Sequence, residues 1–165
     1  MDRTDTALLM LRVMLGLFMA AHGTNKVKGG LAGTAGWFGS IGMKWPRAQA
    51  TAAAATEIVG GILLAIGLLF PLAAASMIAT MTVAIVTVHR KVGFFIFLPG
   101  GGWEYCATIS VAVAALSVAG PGTVSIDHAA GILGSTTAGV AGVITGLAAA
   151  VAHLAVSWRP GTVAK

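Results

Sequence analysis

Six ionisable side chains fall inside or at the edges of long apolar runs: Arg12, His22, Lys26, Glu57, His89 and Glu104. A charge in hydrocarbon costs roughly 3 kcal/mol on insertion scales, so such a residue is expected to face a partner, a cavity or a bundle interior. Glu57 lies about nine residues into its run, near mid-bilayer at 1.5 Å per residue, and has no route to water. It must be paired or carry its proton. Arg12 on one side of it and His22 or Lys26 on the other are the candidate partners. Arg12 sits roughly 7 Å inside the end of its own run and could instead snorkel to the surface. Three readings of Glu57 stay open: a structural charge pair, a ligand or proton site, or a solitary protonated acid. His22 and Lys26 are four apart and share a helix face. A histidine near a helix end also serves as a cap on the helix dipole. No HxxxH or ExxH spacing preorganises a metal site, so none is expected. Asp127 is read as a cap for the last run, and neither His128 nor His153 is assigned a function.

The elements that position these groups are hydrophobic helices. The 165 residues are 57% hydrophobic and 9% charged, whereas a soluble domain needs about a quarter charged residues to clothe its core. Runs of about 20 apolar residues cross a hydrocarbon core of about 30 Å. Five segments qualify: Ala7–Val27, Ala48–Phe70, Leu72–His89, Glu104–Gly120 and Ala130–Ser157. The expected fold class is all-α, a polytopic membrane helix bundle. The second and third runs abut at Phe70-Pro71-Leu72, which reads as a tight hairpin because proline cannot continue a helix. The connection from Lys28 to Arg47, with Trp37, Phe38 and Trp45-Pro46, reads as interfacial. The stretch Gly93–Pro99 is too short to span and is expected to dip into the interface or fold over the bundle. The first run is read as retained rather than as a cleaved signal, and no lipidation signature is present. The one cysteine, Cys106, rules out an intrachain disulfide or dithiol chemistry within this chain.

The net charge is +5. Its basic residues cluster between the apolar runs, which points to topology and anionic lipid headgroups and away from nucleic acid. Lys26, Lys28, Lys44, Arg47, Arg90, Lys91, Arg159 and Lys165 fall on one side, against Arg3 on the other. The positive-inside rule puts the N-terminus outside and the C-terminus in the cytoplasm. In the fifth run, Ala130, Gly134, Ala138, Gly142, Gly146 and Ala150 recur every four residues and form a flat face for close helix packing, within the chain or against a protein partner or second copy.

Taken in order, several stretches resemble the DoxX family of small bacterial membrane proteins. They are Leu11-Arg12 to Leu15-Gly16 with Phe18, His22-Gly23 with Lys26, Glu57-Ile58-Val59-Gly60-Gly61, His89, Gly93-Phe94-Phe95, and Gly101-Gly102-Trp103-Glu104-Tyr105. Gly120-Pro121-Gly122 and Ser125-Ile126-Asp127 complete the pattern, which covers about residues 7 to 127. The family's usual unit is a four-helix bundle. The resemblance therefore implies a four-helix domain over 1–128 and an added transmembrane helix with a short basic tail over 129–165. It also implies a multi-pass protein of the bacterial inner membrane. The family takes its name from a membrane subunit of an archaeal thiosulfate:quinone oxidoreductase, and bacterial relatives are linked to oxidative and thiol stress. The function so implied is a membrane subunit of a quinone-linked or stress-related oxidoreductase system, binding a small molecule or relaying protons at the polar cluster. Quinone is the candidate cofactor. The alternative is a non-enzymatic membrane scaffold whose buried charges are structural. The sequence has no nucleotide motif, haem-ligand pair, dithiol or cluster ligands, so the resemblance assigns no catalysis to the chain itself.

Overall fold

A computed structural model describes residues 2–132 and 134–160, so Lys165 of the basic tail lies outside the described residues. The chain forms α1 (Arg3–Lys28), α2 (Leu31–Ser40), α3 (Pro46–Ile66), α4 (Phe70–Thr87), α5 (Glu104–Ala119), the short α6 (Ile126–Ala129) and α7 (Thr136–Ser157). Four of these, α1, α3, α4 and α7, are long and apolar enough to cross a membrane. The shorter α5, of 16 residues, packs among them. The protein is an all-α, multi-pass membrane bundle.

Local chemistry sets the helix ends. Asp2 caps α1 by accepting from Asp5 N at 2.7 Å, and Ser135 caps α7 by accepting from Ala138 N at 3.1 Å. That cap moves the start of the last helix from the expected Ala130 to Thr136. The hairpin expected at Phe70-Pro71-Leu72 lies earlier. Gly67 closes α3 in the left-handed region, Leu69 (φ 48) precedes α4, and Pro71 sits inside the first turn of α4. Proline suits that turn because the N–H it lacks would have no helical partner there. Asp127 does not cap the last helix. Its carboxylate accepts from Leu69 N and Phe70 N, both at 2.9 Å, at the start of α4. His89 falls just beyond α4 in a 3-10 turn over His89–Lys91. The connection expected as an interfacial loop contains α2, with Trp37 exposed.

Small residues bring the helices together. A methyl group added at Gly16 of α1 would lie 2.4 Å from Gly61 O of α3, and one at Gly61 would lie 2.5 Å from Gly16 O. On α7, additions at Gly142 and Gly146 would come within 2.7 Å of Pro71 O and Ala75 O on α4. The expected four-residue stripe is corrected at its start. Gly134 is exposed and precedes the helix, Ala138 is half-buried, and Gly139 is the residue against α5. Ser117 Oγ donates to Gly139 O at 2.9 Å there. Four residues overshoot a turn of 3.6 by about 40°, so a packing face alternates steps of three and four. Buried Gly139, Gly142, Gly146 and Ala150 mix such steps, one of three followed by two of four. This face of α7 is covered by α4 and α5 of the same chain.

The core holds Leu15, Met19, Leu64, Phe70, Met77 and Val113 among others. One end of the bundle gathers Lys26, Lys28, Lys44, Arg47, Arg90, Lys91 and Arg159, and is the basic end. The opposite end carries Arg3 with Asp2, Asp5 and Asp127.

Candidate functional site

Glu57 sits 11 residues beyond Pro46, about 16 Å along α3. Its level on the neighbouring helix follows from the antiparallel register of α1 and α3. Gly23 faces Ala54, Glu57 and Ile58, whereas Gly16 faces Gly61 and Ala65. Glu57 therefore lies opposite the His22–Lys26 turn. Lys26 Nζ donates to Glu57 Oε2 and forms an ion pair with it. Glu57 is buried, and the Lys26 side chain keeps 22% of its exposure. An exposed pair of this kind contributes little, whereas breaking one that is largely withdrawn from water leaves an uncompensated group in the bundle.

Arg12 is not the partner of Glu57. The register that joins Gly16 to Gly61 and Ala65 puts Arg12 near the end of α3, about eight residues or 12 Å from the Glu57 level. Its guanidinium, 2% exposed, donates to Ala65 O and Val124 O, and its Nε has no partner among the described residues. Ala65 O belongs to the last turn of α3, whose carbonyls lack helical donors. Arg12 thus satisfies a helix end and ties the loop after α5 to it. Snorkelling is absent, because the side chain is turned inward.

Beside the ion pair, toward the basic end, is a cavity of about 570 Å³. Its walls are mostly apolar, from Met19, Trp37, Phe38, Ile41, Met81 and Val88. Polar groups converge on it from several helices: His22 and Lys26 from α1, Gln49, Thr56 and Glu57 from α3, and Ser76 and Thr80 from α4. His89, Tyr105 and His153 line it as well. A largely apolar hollow of this size with a few convergent polar groups is the usual form of a small-molecule site.

Of the six residues singled out from the sequence, His22, Lys26, Glu57 and His89 meet at this cavity, while Arg12 and Glu104 do not line it. His89 Nδ1 lies 2.6 Å from Gly101 O, which ties the end of α4 to the glycines before α5. Glu104 Oε2 accepts from Ile96 N at 3.0 Å and so holds the aromatic 93–102 loop folded back on the start of α5. Phe94 packs edge-on against Trp103 there, at 4.7 Å between centroids. Gln49 and Thr56 were not singled out, Tyr105 entered only through the family pattern, and His153 was named without a function. Gln49 and Thr56 are seven apart in an apolar run, a spacing that puts them on one helix face. That was a readable signal. His153 lies one position off the four-residue repeat read from the sequence and joins the face only through its steps of three and four. Among the described residues no group of three or more His, Cys, Asp or Glu is placed to hold a metal ion.

The comparisons with known proteins each cover about half of the chain. The DoxX family model matches residues 7–90. The chain is also similar to CatD of Bacillus subtilis (strain 168), a protein provisionally named an oxidoreductase, with 38% identity over 86 residues. Those residues are 52% of this chain and 62% of that protein, so less than two thirds of the relative is spanned. No solved structure matches the chain.

Proposed function

The chain belongs to the DoxX family, and from that premise we propose that it is a membrane subunit of an oxidoreductase system that binds a small amphipathic molecule of the quinone class in the cavity beside Lys26 and Glu57. The single observation that carries the reading is the placement of a buried ion pair in the wall of an apolar cavity of about 570 Å³. A quinone headgroup offers carbonyl acceptors, which suit the Lys26 ammonium and the imidazole of His22. Its ring and tail suit the Met, Trp and Phe walls. Glu57 in this reading exchanges protons with the headgroup through contacts already made by Lys26. The relative's provisional naming as an oxidoreductase supports the same system. We further propose that the basic end faces the cytoplasm, because seven Lys and Arg side chains gather there against Arg3 at the other end. A cysteine at position 4 should then react with membrane-impermeant thiol reagents in intact cells, and one at position 91 should not.

The test of the main reading is solvent extraction of the protein purified in mild detergent, followed by absorbance and mass spectrometry. A quinone retained by the wild type and lost from Ala53→Phe, which places a ring in the cavity, is the expected result. The second reading, a scaffold, is favoured by one observation: Arg12, Asp127 and the Lys26–Glu57 pair are all engaged within the chain. A stable protein that yields no small molecule at all would decide for the scaffold.

A further inference from the structure

We infer that α7 is the ligand-holding wall of this cavity, with the imidazole of His153 hydrogen-bonding the polar edge of a ring-shaped ligand opposite the edge met by Lys26 and Glu57. The inference rests on the reading of the cavity as a small-molecule site. It goes beyond that reading because α7 lies entirely outside the residues 7–90 matched by the family model.

The inner face of α7 runs Gly139, Gly142, Gly146, Ala150, His153 and Ser157, in steps of three and four. Each of these apart from His153 is small and buried. Gly146 rests on the backbone of Ala75, and Ala150 is fully buried. Close packing is what small residues on such a face achieve. An imidazole would break that packing unless the face opened into space at its position, and it does: Ala149, Ala150 and His153 line the cavity. His153 is half-buried, lines the cavity and makes no hydrogen bond among the described residues, which leaves its imidazole available to a ligand.

Placement across the cavity follows from the packing. Lys26 and Glu57 stand on the α1–α3 pair, α7 packs on α4 and α5, and α4 joins the two groups. The polar groups therefore approach from two separate walls. A flat ring with acceptors on opposite edges is the ligand chemistry such walls select.

The same helix end also fixes the roof. Trp158 Nε1 donates to Ile41 O at 2.9 Å, Lys44 N donates to Ser157 O at 2.7 Å, and Arg159 N donates to Gly42 O at 2.9 Å. Ile41 and Met43 of this strapped loop line the cavity. The segment that carries His153 thus also holds a loop that forms part of the cavity wall.

The experiment uses the full chain in detergent and menadione, a flat ring with two carbonyls on opposite edges. Trp37 lines the cavity, so the part of tryptophan quenching that disappears in Trp37→Phe reports binding. His153→Leu should weaken menadione binding by about tenfold, as loss of one buried hydrogen bond does, while His153→Gln stays within about threefold of the wild type. Ala149→Phe, at an exposed position with room for a ring, should also weaken binding. It decides the matter if His153→Leu does not fold. Wild-type affinity in both His153→Leu and Ala149→Phe overturns the role of α7 and leaves the cavity reading standing. Absence of Trp37-dependent quenching in the wild type overturns the cavity reading and this inference with it.

Discussion

Removing one member of the Lys26–Glu57 pair should have unequal effects, and the inequality follows from burial. The Glu57 side chain is 6% exposed and that of Lys26 is 22% exposed. Lys26→Met leaves a carboxylate in the bundle with no counter-charge, and breaking a buried pair in this way costs about 3 kcal/mol or more. Glu57→Gln keeps shape and an acceptor oxygen. The ammonium left behind retains part of its contact with the surroundings and a flexible stem, so its loss is discounted to about 1 kcal/mol. In the double variant no charge remains to be desolvated, and its effect should fall well below the sum of the singles. The assay is thermal unfolding in detergent with a thiol-reactive dye. Cys106 is the one cysteine in the sequence and is buried at 6% exposure, so its labelling marks unfolding. The expected order of midpoints is wild type, then Glu57→Gln, then Lys26→Met, with the double variant above Lys26→Met. A Glu57→Gln protein less stable than Lys26→Met, or a double variant at the sum of the singles, would refute the argument from burial.

Glycine positions provide a second, internal contrast. Gly142→Leu and Gly146→Leu should each lower the unfolding midpoint by many degrees, because their Cβ would lie 2.7 Å from backbone oxygen. Gly134→Leu should leave it unchanged, since the nearest atom there is a proline carbon at 3.8 Å; equal losses at all three would show the face is set otherwise. At the α3–α4 turn, Asp127→Ala removes the acceptor for Leu69 N and Phe70 N and should destabilise by about 2–4 kcal/mol. Leu69→Gly relieves a left-handed backbone (φ 48) and should recover about 1 kcal/mol. A neutral Asp127→Ala in denaturant unfolding would mean the turn is held by other contacts.

That this is a membrane helix bundle follows from composition alone. Solvation is a property of composition, and a chain with 9% charged residues cannot cover a core with polar surface. The sequence also marked Lys26 and Glu57 as residues in need of explanation, because a charge in an apolar run is unfavourable whatever its neighbours are. The partner was a different matter. Arg12, His22 and Lys26 were all within reach of Glu57 by type, and the choice of Lys26 came from the α1–α3 register, set by Gly16, Gly23 and Gly61 at the crossing. Asp127 looked like a cap for the helix that follows it in the chain, but its acceptors serve Leu69 and Phe70, 58 and 57 residues away. His153 was visible as a polar residue in an apolar run and nothing more. Its place on a cavity wall depends on α7 packing against α4 and α5, and such contacts between helices distant in sequence are decided by which small residues let two backbones meet.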